Sequence, residues 1–238
     1  MQSIYFVDSN FTYESSKKSI LSIRYATDGF SFCVHDETGK LVVFVHEPYA
    51  ADSREAAVAR LKNYVVNDAI LNLRFKKVYI MPCFKEKLLV PGAFFDKANI
   101  TTLYTVNQEV SPDDTILYHH IEGIEAYLVE TVISSFHDFV REHFPVFQIV
   151  NGAYPFILGA MGKALRDTEQ IFLDIQDNYF DLLFIRDSGI QLFNTFSYKA
   201  TTDIVYFLLN CIKECGINQE KAHLSICGPA LKDNKLKE

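Results

Sequence analysis

Long hydrophobic runs are missing: nowhere in the 238 residues does an apolar stretch reach the ~18 residues that mark a membrane-spanning helix. The N-terminus, MQSIYFVDSN, has neither a basic region nor an apolar segment of signal-peptide length. No membrane span is expected, and the cytoplasm is the expected compartment. Positive charge is in short supply too, with 23 basic residues against 30 acidic ones and a net charge of −7. No Lys/Arg cluster is long enough to track a phosphate backbone, which argues against nucleic acid as a partner. Paired cysteine motifs are absent. The five cysteines, Cys33, Cys83, Cys211, Cys215 and Cys227, form no C-x-x-C, and each lies in an apolar segment, where free Cys acts as a small core residue. G-x-S-x-G, H-E-x-x-H and G-K-[ST] do not occur, so no catalytic residue is assigned.

What is present is apolar and strand-rich. Hydrophobic residues make up 49% of the chain, enough to exclude a disordered protein. The stretch SILSIRYATDGFSFCVHDETGKLVVFV reads as strand, turn at Asp28-Gly29, strand, turn at Thr38-Gly39, strand. DSREAAVARLKNYVV then opens a helix, with Asp52 as the N-cap, Glu55 three residues later, and Ala57, Leu61, Tyr64 and Val65 on one face. The strand KVYIMP follows.

The same order returns later. QIFLDIQDNYFDLLFIRDSGIQLFNTF reads as a second meander with a turn at Ser188-Gly189. Thr201 is the expected cap of a helix whose residues Ile204, Leu208, Cys211, Ile212 and Cys215 share a face; it ends at Gly216 and leads into HLSIC. The spacings agree: Ile20 to Gly39 is 19 positions and Ile171 to Gly189 is 18, while Phe44 to Ser53 is 9 and Phe193 to Thr201 is 8. A βββαβ run that occurs twice predicts a two-lobed α/β protein built by internal duplication. The boundary is placed at SPDD, giving lobes of residues 1–114 and 115–238. Between the repeats, KLLVPGAFF is a short element broken at Pro91-Gly92, TILYHHI a strand, VFQIV a strand and YPFILGAMGKAL a helix. TVISSFHDFVREHF reads as a helix with Val132, Phe136, Phe139 and Val140 inward, and EAYLVE as either a strand or that helix's first turn.

Asp174 is the anomaly, a carboxylate inside the apolar run IFLDIQDNYF. An ionised side chain is costly to bury unless it is paired, hydrated or metal-bound. His119-His120 with Glu122 does not make a metal site, because adjacent strand residues face opposite ways. Tyr179 and Phe180 also take opposite faces, so that one of them is free to line a cleft.

These residues resemble the actin-like ATPase fold, the ribonuclease H-like architecture shared by actin, hexokinase, the heat-shock chaperones and bacterial pilus-assembly and cell-division proteins. KLLVPGAFFD, FVREHFPVFQIVNGAYPFIL and FLDIQDNYFDLLFIRDSGIQLFNTF are similar to a bacterial family of unknown function with a degenerate form of that fold. The resemblance implies duplicated βββαβα lobes. In active members each meander begins with Asp-x-Gly-Thr, whose acid holds hydrated Mg²⁺ or the attacking water and whose glycine admits phosphate. On that pattern Ser22-Ile23-Arg24-Tyr25 stands at the first site, without acid or glycine, and Asp174-Ile175-Gln176-Asp177 keeps the acid but has Gln176 for glycine. Cys227-Gly228-Pro229 keeps one glycine of the adenosine-binding pair. The degenerate cofactor positions are therefore Ser22, Arg24, Asp174, Gln176, Asn178 and Gly228. Arg24 reads as a phosphate neutraliser or, more simply, as an ion-pair partner of Asp174, whose other expected donors lie in the turn at Asn178. The expectation is a non-catalytic pseudoenzyme without cofactor, acting as a scaffold or adaptor for a protein partner or its own copy. The alternatives are an ATPase or small-molecule kinase using ATP and Mg²⁺ through Asp174, and a binder of another small ligand. The closing ALKDNKLKE reads as a polar helical stub where the fold usually continues.

Overall fold

The computed structural model of the chain describes residues 2–228. The stub in ALKDNKLKE and Pro229 lie outside the described residues. In chain order the elements are β1 (Ile4–Val7), α1 (Tyr13–Ser16), β2 (Ile20–Ala26), β3 (Gly29–His35), β4 (Leu41–Pro48), α2 (Arg54–Asn67), β5 (Lys77–Pro82) and β6 (Lys87–Pro91). A 3₁₀ turn (Gly92–Phe94), α3 (Ile100–Asn107), β7 (Asp114–His120), β8 (Ala126–Ile133), α4 (Ser134–His143), β9 (Phe147–Ile149) and α5 (Ala153–Met161) follow. The second meander is β10 (Glu169–Ile175), β11 (Tyr179–Arg186) and β12 (Gly189–Ser197), then α6 (Thr201–Glu214) and β13 (His223–Cys227).

Packing divides the chain into two compact units that interleave in sequence. Among the described residues, unit one takes 2–86, 98–119 and 129–152; unit two takes 87–97, 120–128 and 153–228. A single cut after Asp114 divides the chain differently, since 129–152 pack with the first unit and 87–97 with the second.

Unit one is built on a six-stranded sheet of order β1-β4-β3-β2-β5-β9. β2, β3 and β4 pair antiparallel, whereas β5 joins β2 in parallel and β9 joins β5 in parallel. Leu21, Ile23 and Tyr25 of β2 meet Ala57, Val58, Leu61 and Val65 of α2 and Phe136 and Val140 of α4 in one buried cluster. Alternation on the strand and spacing of three or four on the helices produce this face, and each large apolar side chain buried contributes about 1.5–3 kcal/mol.

Unit two is built on a four-stranded sheet of order β12-β11-β10-β13, with β10 and β11 antiparallel and β10 and β13 parallel. One face packs Ile171, Leu173, Ile175 and Phe180 with Ile204 and Ile212 of α6; the other packs Phe172, Leu183 and Ile185 with Ile157 of α5. Burial on both faces explains why β10 and β11 are nearly continuous apolar runs. The order β4-β3-β2-β5 in the first unit and β12-β11-β10-β13 in the second is the same run of strand, strand, strand, helix, strand.

Several local expectations shift. The N-cap of α2 is Ser53, whose side chain accepts from Ala56 N, not Asp52. α6 is capped at Ala200, with the Asp203 carboxylate accepting from Lys199 N and Ala200 N, and Thr201 is its first helical residue. AYLVETVI is one strand, so Thr131 and Val132 belong to β8 and the helix starts at Ser134; the β-branched run favours strand where periodicity was ambiguous. β1, α1 and α3 were not anticipated. The cysteines are less buried than an apolar context suggests: four are half-buried and Cys227 is exposed.

Candidate functional site

In open α/β sheets ligands gather at the C-terminal ends of the parallel strands. In unit two those ends hold Asp174 and Ile175 of β10 and Cys227 of β13, with Gly228 just beyond it and Asp174 paired in register to Cys227. The Cys227 thiol lies 3.8 Å from Asp174 Oδ1 and 3.4 Å from Leu173 O. Burial, and after it the charge and hydrogen bond of Asp174, push the thiol up to about 11. Gly228 has a φ of +115°, and a Cβ there would lie 2.2 Å from Ile175 O, so only glycine lets this segment close on the end of β10.

Asp174 shares its face with Phe172 and stands directly across from Asp181 on β11. Asp181 is 2% exposed. Its Oδ1 accepts from Lys87 Nζ at 2.8 Å and from Thr195 Oγ1 at 2.6 Å, Thr195 being its register partner on β12. Lys87, from β6, has a side chain only 1% exposed, and its ammonium sits 4.7 Å from the Tyr179 ring centroid. The second acidic position of this face thus carries an internal cation. Phe180 enters the opposite core, so Tyr179 is the aromatic on the acidic face.

The turn that holds phosphate in active members is here closed by Gln176, which is buried. Gln176 N donates to Tyr179 O at 2.9 Å, and Gln176 O accepts from Tyr198 OH at 2.6 Å. Asn178 uses its backbone, its O accepting from Tyr198 N at 3.1 Å.

In unit one the matching hairpin corrects the sequence register. Tyr25 pairs with Phe30 over residues 26–29, as Ile175 pairs with Phe180 over residues 176–179. The position equivalent to Asp174 is therefore Arg24, not Ser22, and it pairs in parallel with Met81 as Asp174 does with Cys227. Ser22 lies two residues further from the strand end. The Arg24 guanidinium pairs with Asp28 of its own hairpin at 3.4 Å. Nearby, Cys83 N donates to Tyr25 O, and Asn151 Nδ2 donates to Glu130 Oε2 at 3.0 Å, both side chains being buried. Burial, then the Glu130 charge, holds the Tyr25 hydroxyl well above its usual range. Elsewhere in this unit Arg54 bonds Asp114 and, at 2.9 Å, Thr131 Oγ1.

His119 and His120 separate as strand alternation requires. Burial lowers the His119 pKa, while His120 is exposed. Among the described residues no group of three His, Cys, Asp or Glu is arranged to hold a metal, and no helix is long and apolar enough to cross a membrane.

A family model described as "Protein of unknown function (DUF3822)" matches residues 8–238. The chain belongs to that family. No curated protein matches the sequence. Among solved structures, a Bacteroides thetaiotaomicron protein with an actin-like ATPase fold and unknown function is similar at 23% identity, over 95% of this chain and 88% of that one, with a TM-score of 0.87. The DUF3822 chain therefore has the actin-like ATPase fold. Weaker likenesses include a PilM–PilN type IV pilus biogenesis complex, at 12% identity over 84% of this chain and 66% of that one, TM-score 0.47. An exopolyphosphatase from Cytophaga hutchinsonii matches at 12% identity over 90% and 68%, TM-score 0.45.

Sequence reasoning had reached Asp174, Gln176 and Gly228, which meet in unit two. It missed Lys87, Asp181 and Thr195. Asp181 carried the same signal as Asp174, a lone charge in an apolar run, YFDLLFI. Lys87 gave no local sign of its partner.

Proposed function

We propose that this protein is a cytoplasmic, non-catalytic member of the actin-like fold that works as a scaffold or adaptor for a protein partner and uses no nucleotide cofactor. The observation that carries the reading is Arg24 at the position equivalent to Asp174. Handling a metal–phosphate pair in this fold draws on an acid in each meander, and one of the two is here replaced by a cation tied to Asp28. Two further features support it: Gln176 fills a turn that phosphate binding leaves to glycine, and Lys87 places an ammonium on the acid opposite Asp174.

The test is thermal unfolding with and without ATP–Mg²⁺. A ligand at 100 times its dissociation constant stabilises the folded state by about 2.7 kcal/mol. An unchanged melting temperature at millimolar ATP–Mg²⁺ is the expected result. A clear rise, with phosphate release that disappears in Asp174→Ala, would replace this reading with an ATPase or small-molecule kinase.

A further inference from the structure

β1 pairs with β4 and is, among the described residues, the last strand on its side of the first unit's sheet. Its four residues, Ile4, Tyr5, Phe6 and Val7, include no charge and no proline, the devices that usually keep an edge strand from pairing further. Ile4 is 41%, Tyr5 67% and Phe6 46% exposed. Alternation puts Tyr5 on the face where Val43 and Val45 of β4 enter the core, and Ile4 and Phe6 on the other. The strand is therefore open on both faces as well as along its edge.

Hydrogen-bond phase fixes which main-chain groups point outward. Asp8 N donates to Val42 O at 2.8 Å, so Asp8, and by alternation Phe6 and Ile4, turn their backbone toward β4. Tyr5 and Val7 fall in the alternate pairs, and their N–H and C=O groups point away from the sheet. An edge of this phase is complementary to itself. A two-fold axis perpendicular to the sheet at Tyr5 joins Tyr5 to Tyr5 of a second copy through two main-chain bonds, and sets each Ile4 opposite the other copy's Phe6. The central cross-strand pairs are then aromatic with aromatic and aromatic with β-branched, combinations that stabilise antiparallel sheets. Charge agrees with this direction: Glu47 accepts from Ser3 at one end of β1, and Lys40 pairs with Asp8 at the other. Antiparallel pairing brings the Glu47 end of one copy beside the Lys40 end of the other, whereas parallel pairing would set like ends together.

We propose that β1 is the contact through which two copies of this chain associate, joining their six-stranded sheets edge to edge about a two-fold axis. Area sets the strength. The exposed parts of Tyr5 and Phe6 amount to on the order of 200 Å² per copy. With Ile4 and the strand backbone added, the contact stays below the ~1,000 Å² of a stable interface, so the dimer is weak and concentration-dependent. Main-chain bonds supply its affinity and the Tyr5-centred register its specificity. The proposal does not depend on the loss of nucleotide chemistry.

Sedimentation velocity of the full chain, from micromolar to near-millimolar concentration, is expected to show one chain passing to two. Tyr5→Lys opposes like charges at the axis and should weaken association at least about tenfold. Tyr5 is exposed, and an unchanged melting temperature in dilute solution confirms that the variant folds. Register is read by disulfide trapping with diamide and peptide mass spectrometry. Tyr5→Cys should link position 5 of two chains, because Cα atoms of a hydrogen-bonded antiparallel pair lie about 5.5 Å apart, within disulfide range. Ile4→Cys alone and Phe6→Cys alone should give no link at the new cysteine, but their mixture should join position 4 to position 6. A single chain at every concentration, a dimer unmoved by Tyr5→Lys, or introduced cysteines that link to other positions would overturn the proposal.

Discussion

Lys87 Nζ stands 2.8 Å from Asp181 Oδ1, with both side chains sealed from water at 1% and 3% exposure. The two form a buried ion pair, with the Thr195 hydroxyl donating to the carboxylate and the Tyr179 ring lying against the ammonium.

Removing either charge alone leaves the other buried and uncompensated. Lys87→Met and Asp181→Leu are each expected to lose about 3–5 kcal/mol of stability, measured by urea unfolding. The double variant should recover most of that loss, because an apolar pair of similar volume carries no desolvation cost. Single losses that simply add in the double variant would show that the two groups do not act as a pair.

Cys227 tests the Asp174 contact. A thiol at about 11 is thiolate at only about a thousandth of its population at pH 8, far below an ordinary cysteine near 8.5. Although exposed, Cys227 should therefore alkylate slowly at pH 8 and gain rate steeply above pH 9. Asp174→Asn removes the negative charge and lowers the thiol pKa, so alkylation should quicken several-fold. Mass-spectrometric rates at each cysteine read this directly, and an unchanged rate at Cys227 would separate the two residues.

Gly228→Ala combines a left-handed φ with a Cβ that meets the backbone of Ile175. A loss at or above the ~1–3 kcal/mol typical of such strain is expected. Gly39→Ala is the control, at a φ of +82° with open space around the new Cβ, and should lose distinctly less.

Acid sensitivity has a local source at Glu169. The backbone N–H of Asn218 and the Arg186 guanidinium hold its carboxyl below the usual carboxylate range, with burial opposing them. A depressed folded pKa means stability that is present above the unfolded pKa near 4.5 and lost as pH falls through the folded one. Glu169→Gln should flatten the fall in stability below pH 4.5. The change is small, since a surface carboxylate is screened by water.

How much of this was legible beforehand depends on how local each signal is. Strand alternation, the turns at Asp28-Gly29 and Ser188-Gly189, and the helical spacing of Ile204, Leu208 and Ile212 are short-range patterns, and they disclosed both meanders and their order. Asp174 stood out because charge in an apolar run is costly wherever it sits. Asp52 and Thr201 were misread as caps because neighbouring polar residues compete for the same helix start, and only the backbone decides between them.

The sequence by itself determined the repeated βββαβ order and the replacement of glycine by Gln176, since both are written in neighbouring residues. Only the tertiary structure decided that Arg24 is the counterpart of Asp174 and that Lys87 pairs with Asp181. Hairpin register and charge pairing each join residues far apart in the chain. Such relations are set when elements pack, and no local pattern encodes them.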